Sequence, residues 1–171
     1  MNRLLPVVLG IVLFSTTAAA QQTPPGCTTP EYRQFDFWMG IWTVTDSAGG
    51  TTYGTNLITG EESGCLLHEH WRGSKGGTGQ SLNFYDRQGQ YWEQVWVASG
   101  GTVLRLTGHF DGSSMVLEGD GASPSGPPIR NRIAWTPQPD GRVRQVWSTS
   151  ADSGATWKVG FDGWYRKQPG S

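Results

Sequence analysis

The chain has 171 residues, 16% of them charged, a formal net charge of −1, 25 glycines and nine tryptophans. That length favours a single domain with a buried core, and the absence of any basic run argues against the positive face that nucleic-acid binding needs. Two cysteines with no Cys-x-x-Cys pair and no Cys/His cluster argue against zinc or redox chemistry.

The chain begins Met1-Asn2-Arg3, continues as an apolar run from Leu4 to Phe14, and reaches small residues at Ala18-Ala19-Ala20. A positive start, a short apolar stretch and small residues before a cut describe a secretory signal peptide over residues 1–20, cleaved after Ala20. The run contains Pro6 and falls short of the roughly 20 apolar residues of a membrane-spanning helix, so no membrane anchor is expected after cleavage. Cys27 follows Pro24-Pro25-Gly26, well past the run, which favours soluble export to the periplasm or medium over lipid attachment. Losing Arg3 brings the formal charge to −2.

Residues 21–30 are polar and proline-rich, a loose arm; residues 31–171 are expected to form one β-barrel domain. Glu31–Met39 predicts a short helix with Phe35 and Trp38 on one face. From Gly40 onward, alternating runs rich in Thr, Val, Trp and Tyr are cut by glycine turns. They predict strands at 41–46, 51–58, 64–72, 80–86, 91–98, 102–110, 114–118, 130–136, 142–150 and 155–166. Asp111-Gly112, Asp120-Gly121, Asp140-Gly141 and Asp162-Gly163 supply the positive φ angles of tight turns. Gly119–Ile129 is the one long irregular stretch, a lid or a solvated connector, and the connector is the favoured reading.

No later segment offers the helical crossover that parallel strands require. Eight to ten antiparallel strands joined by hairpins must hide their edges, which points to an all-β up-and-down barrel with a short N-terminal helix. An interior of that size holds side chains or one small ligand. Cys27 and Cys65 are expected to form a disulfide in an oxidising compartment, stapling the arm to the third strand. In the chain-entropy model that closure contributes about 4 kcal/mol.

Three strands repeat one arrangement: Glu69-His70-Trp71, Gln94-Val95-Trp96 and Gln145-Val146-Trp147. Residues two apart share a strand face, so each unit pairs a carboxyl or amide with an indole. Pointing inward, they make an aromatic-walled cavity with three polar hooks, the composition of a small-molecule site; otherwise the same indoles simply fill the core. A buried Glu69 needs a partner, for which Arg105, Arg132 and Arg144 are available. His68 and His70, with His109, have metal-ligand chemistry, but Leu67 and Trp71 put the inward face opposite them, so no metal site is expected. Haem ligation by one of the three is compatible with a barrel, though no feature selects one, and no cofactor is assigned.

Ser150-Ala151-Asp152-Ser153-Gly154-Ala155-Thr156-Trp157 has the Asp-box pattern of sialidase propellers. A propeller needs several copies, and this chain has one, so Asp152, Gly154 and Trp157 read as a stabilised hairpin tip. Gly79-Gln80-Ser81-Leu82-Asn83 lacks the last glycine of a nucleophile elbow. Ser74-Lys75-Gly76-Gly77-Thr78-Gly79 lacks a phosphate loop's G-K-[ST] ending.

Gly40-Ile41-Trp42, directly after the predicted helix, resembles the Gly-x-Trp that opens the first strand of lipocalins and the wider calycin barrels. The resemblance implies that Trp42 plugs the barrel floor and that Arg166, in the last strand, packs over it. The opening Phe35-Asp36-Phe37-Trp38-Met39-Gly40-Ile41-Trp42 also resembles that of uncharacterised secreted bacterial proteins with an FDFWxGxW start.

The functional expectation is an exported barrel that binds a small, partly apolar ligand. Glu69, Gln94 and Gln145 orient it, and Trp71, Trp96 and Trp147 wall it in. The alternative is an isomerase or hydrolase of a small metabolite with Glu69 as general base. A third reading is an interaction module with no cavity and its aromatics outside.

Overall fold

The computed structural model describes residues 26–121 and 128–169. The leader at 1–20, half of the arm at 21–30 and the middle of the 119–129 connector lie outside the described residues.

The ten predicted strands are β1 (Gly40–Thr45), β2 (Thr52–Glu61), β3 (Leu66–Gly73), β4 (Thr78–Asp86), β5 (Tyr91–Ala98), β6 (Val103–Phe110), β7 (Met115–Gly121), β8 (Ile129–Pro137), β9 (Val143–Ser150) and β10 (Lys158–Lys167). Each pairs antiparallel with the next, and β10 returns to pair with β1, so the sheet closes into an up-and-down barrel with no free edge. Alternation decides what faces inward. On β2, Gly54, Asn56 and Ile58 are buried while Thr55 and Leu57 are exposed. On β3, Leu67 and Glu69 are buried between half-exposed His68 and His70.

Two expectations about the chain's course need correction. The single helix over Glu31–Met39 is instead a one-turn α1 (Pro30–Arg33) followed by a 3₁₀ turn at Asp36–Trp38. The break at Phe35 turns both Phe35 and Trp38 into the barrel, where they stack with ring centres 4.9 Å apart. Neither Asp120-Gly121 nor Asp162-Gly163 is a turn: the first lies in β7, Asp120 opposite Arg130, and the second lies inside β10, Gly163 opposite Gln145. A side chain at Gly163 would strike the Phe161 ring, with Cβ 2.5 Å from it. The Asp162 carboxylate accepts two hydrogen bonds from the Arg144 guanidinium on β9.

Cys27 and Cys65 form a disulfide, Cys65 standing immediately before β3. Beside it, the Arg33 guanidinium donates to the Gly64 carbonyl. These two ties hold the N-terminal segment against one mouth of the barrel. There Phe35 and Trp38 meet Trp92 at the start of β5 and Trp135 near the end of β8. The Trp42 indole, entering β1, donates to the Trp38 carbonyl, 2.9 Å. Trp38, Trp42 and Trp135 are fully buried. Gly40 has φ +138, a backbone that only glycine adopts without strain, and this bend delivers Trp42 into the floor.

Trp42 therefore plugs the barrel, but Arg166 does not cover it. Arg166 lies opposite Thr43 on the outer face, where it donates to Thr45 and to the Ser47 carbonyl. Lys167, opposite Trp42 and so on its face, places its ammonium 5.4 Å from the indole centre. Strand alternation forbids both neighbours from taking that position.

The Ser150–Trp157 segment is a capped hairpin tip. Asp152 accepts from the Thr156 amide (2.8 Å) and hydroxyl (2.6 Å), and the Ser150 hydroxyl accepts from the Gly154 amide. These donors pull the Asp152 carboxyl down to about 2. The Arg132 guanidinium lies 3.9 Å over the Trp157 ring, just as Arg142 covers Trp164 at 4.6 Å.

Candidate functional site

At the mouth opposite the plug, Trp71 and Trp96 lie near the ends of β3 and β5, and Leu104 and Phe161 lie in the first halves of β6 and β10. These residues, with Trp147 on β9, surround a cavity of about 210 Å³. Its lining includes all three polar-x-Trp pairs: Glu69 with Trp71, Gln94 with Trp96, and Gln145 with Trp147. Leu104, Ile133, Phe161 and Tyr165 complete it. The indoles are half-buried, whereas Glu69, Gln94 and Tyr165 are buried, so the polar groups form the deeper layer.

Glycines on neighbouring strands make room for the indoles. A Cβ at Gly79 would sit 2.2 Å from the Trp96 ring, and one at Gly54 would sit 2.7 Å from that of Trp71. Real Cβ atoms do not approach so closely, so either substitution displaces the ring. The Trp147 N–H is satisfied by the Asn131 side-chain carbonyl at 3.0 Å, which fixes that indole's tilt.

Below the indoles runs a connected polar chain. Glu69 accepts from Asn56 Nδ2 (2.7 Å) and from the Ser81 hydroxyl (2.5 Å). Asn83 donates to Ser81, and Gln94 donates to Asn83 at 2.8 Å. On the other side Asn56 also reaches the Tyr165 hydroxyl, which in turn donates to Gln145 Oε1. The expected arginine partners of Glu69 are elsewhere. Arg132 pairs with Glu118, Arg144 with Asp162, and Arg105 projects from the exposed side of β6. Their strand positions have the opposite parity and face out.

Glu69 thus sits 5% exposed with neutral partners alone. Loss of water pushes its carboxyl up from the usual range, and the bonds from Ser81 and Asn56 only partly oppose this. Burial, reinforced by the nearby Glu69, holds the Tyr165 hydroxyl well above the ordinary phenol range. A carboxyl with a raised proton affinity in an aromatic-walled cavity can exchange a proton or, when ionised, meet an incoming positive charge.

His68 and His70 lie on the outer face of β3, their rings 4.0 Å apart, with His68 bonded to Glu61 and Gln80. His109 is exposed on β6, three strands away. Sequence reasoning missed Tyr165, Phe161, Asn56, Ser81 and Asn83. The mid-strand glycines Gly54, Gly79 and Gly163 were the available signal, since glycine inside a strand marks a close approach.

The barrel is closed and disulfide-bonded, and no described helix is long and apolar enough to cross a membrane. The chain matches no protein-family model and no curated protein sequence.

Proposed function

We propose that this chain is an exported, calycin-like barrel that binds one small, partly apolar ligand in the mouth opposite its plug. The observation that carries the reading is the convergence of Glu69–Trp71, Gln94–Trp96 and Gln145–Trp147 on one cavity. About 210 Å³ exceeds the roughly 150 Å³ apolar cavity that admits benzene. Apolar walls with a few placed polar groups are what small-molecule sites use. The leader-like start and the Cys27–Cys65 disulfide support delivery to an oxidising compartment, periplasm or medium. The indoles line a cavity instead of the outer face, which counts against a cavity-free interaction module.

Titrating a hydrophobic fluorescent probe tests the pocket. Trp96→Ala is expected to weaken probe binding about tenfold or more, the worth of one aromatic wall. Unchanged affinity in a folded Trp96→Ala protein removes the pocket from the reading.

One observation favours a second reading, catalysis with Glu69 as general base: burial raises its carboxyl inside the cavity. On that reading Glu69→Gln abolishes turnover of a bound metabolite and spares its affinity. Both carboxyl oxygens already accept hydrogen bonds, from Asn56 and Ser81, which ranks binding first.

A further inference from the structure

The cavity is more electron-rich than a neutral apolar guest requires. Trp71, Trp96, Trp147, Phe161 and Tyr165 supply five aromatic rings to its lining, and Glu69 supplies the carboxyl. No Arg, Lys or His belongs to that lining. Arg130 and Arg132 are committed to Glu118, and Arg144 to Asp162. Glu69 is held by neutral donors that leave its oxygens as acceptors, so its ionised form has no counter-ion. Indole faces carry the negative side of the ring quadrupole, adding to the same sign.

We infer, resting on the pocket reading above, that the ligand is a small organic cation, a quaternary or protonated amine, seated against the indoles with Glu69 as its counter-ion. Aromatic faces attract a cation within about 6 Å of the ring centre, most strongly when it is desolvated. A cation supplies the charge that the polar layer lacks. A neutral guest leaves the desolvated carboxylate uncompensated, and an anion adds a like charge beside it. At ~30 Å³ per water, the cavity holds on the order of seven water-sized groups, a volume suited to choline.

The groups facing Glu69 are Asn56 on β2, Ser81 and Asn83 on β4, Gln94 on β5 and Tyr165 on β10. Of these only Tyr165 titrates, and it stays neutral throughout the carboxyl range. Cation affinity therefore rises with pH as Glu69 ionises, and binding below that range releases a proton.

Calorimetric titration of the purified protein with choline and with its uncharged carbon isostere, dimethylbutanol, separates charge from shape. Choline is expected to bind roughly ten- to thirtyfold more tightly than the isostere, and more weakly as pH is lowered. In Glu69→Gln the gap closes, with near-ultraviolet circular dichroism checking that the aromatic packing survives. Should that variant not fold, the wild-type ratio and its pH dependence decide the matter alone. Equal binding of the two, or tighter binding of the isostere, overturns the cation and leaves the pocket standing. Failure of both to bind, with the hydrophobic probe still held in a Trp96-dependent way, does the same. If none of the three binds, both readings fall.

Discussion

Both mouths of the barrel are built from tryptophan, yet one is filled and the other holds a cavity. At the plugged end Trp38, Trp42, Trp92 and Trp135 are at most 2% exposed; Trp38, Trp92 and Trp135 pack on Phe35, and Trp42 bonds to the Trp38 carbonyl. At the other end Trp71, Trp96 and Trp147 stand half-buried around empty volume. The remaining two, Trp157 and Trp164, lie outside under arginines. The N-terminal segment makes the difference. Phe35 and Trp38 occupy one mouth from within, tied there by the disulfide and Arg33, and among the described residues nothing comparable enters the other. An indole is core or wall according to whether something reaches across to meet it.

Stability should separate the two ends most sharply. Trp42→Ala deletes a fully buried indole and is expected to cost about 3–5 kcal/mol, read from the urea midpoint. Trp96→Ala, at the rim, should cost about 1 kcal/mol while taking most of the probe affinity. Equal losses of stability would mean that the open mouth is core as well, and the contrast would dissolve.

Gly79→Ala sharpens the same contrast without removing a ring. Its Cβ would overlap Trp96, so the indole must move into the cavity or the strand must shift. About 1–3 kcal/mol of destabilisation is expected, with probe binding reduced. Normal binding and normal stability would show that the glycine is incidental.

The smallest effect concerns pH. Burial raises the folded-state Glu69 carboxyl above its ordinary 4.5, so the folded protein holds that proton more tightly than the unfolded chain does. Stability from this group is complete below the ordinary carboxyl range and is lost as pH rises through the folded-state value. Comparing urea midpoints at about pH 4 and about pH 8 should give a smaller fall in Glu69→Gln than in wild type. Parallel pH profiles would mean that Glu69 finds a counter-charge in solution.

Strand number and order were legible because alternation and glycine turns are local signals, and closure followed from the need to hide edges. The inward face of β3 was legible too, since Leu67, Glu69 and Trp71 fall two apart. The partners of Glu69 were not. Asn56 and Ser81 come from β2 and β4, and Tyr165, which Asn56 joins to the same network, lies about a hundred residues away along the chain. Arginine looked like the natural partner by charge, but parity on strands of unknown register cannot be read from one sequence. Lys167 covering Trp42 in place of Arg166 is the same error by one residue.

The amino-acid order by itself determined the strands, the hairpins, the cysteine pair and which indoles travel with a carboxyl or amide. Only the closed sheet decided that those indoles share one hollow while their four counterparts fill the other end. The physical reason is range: backbone pattern is set by neighbours two residues apart, whereas a cavity exists only where strands distant in sequence meet and leave volume between them.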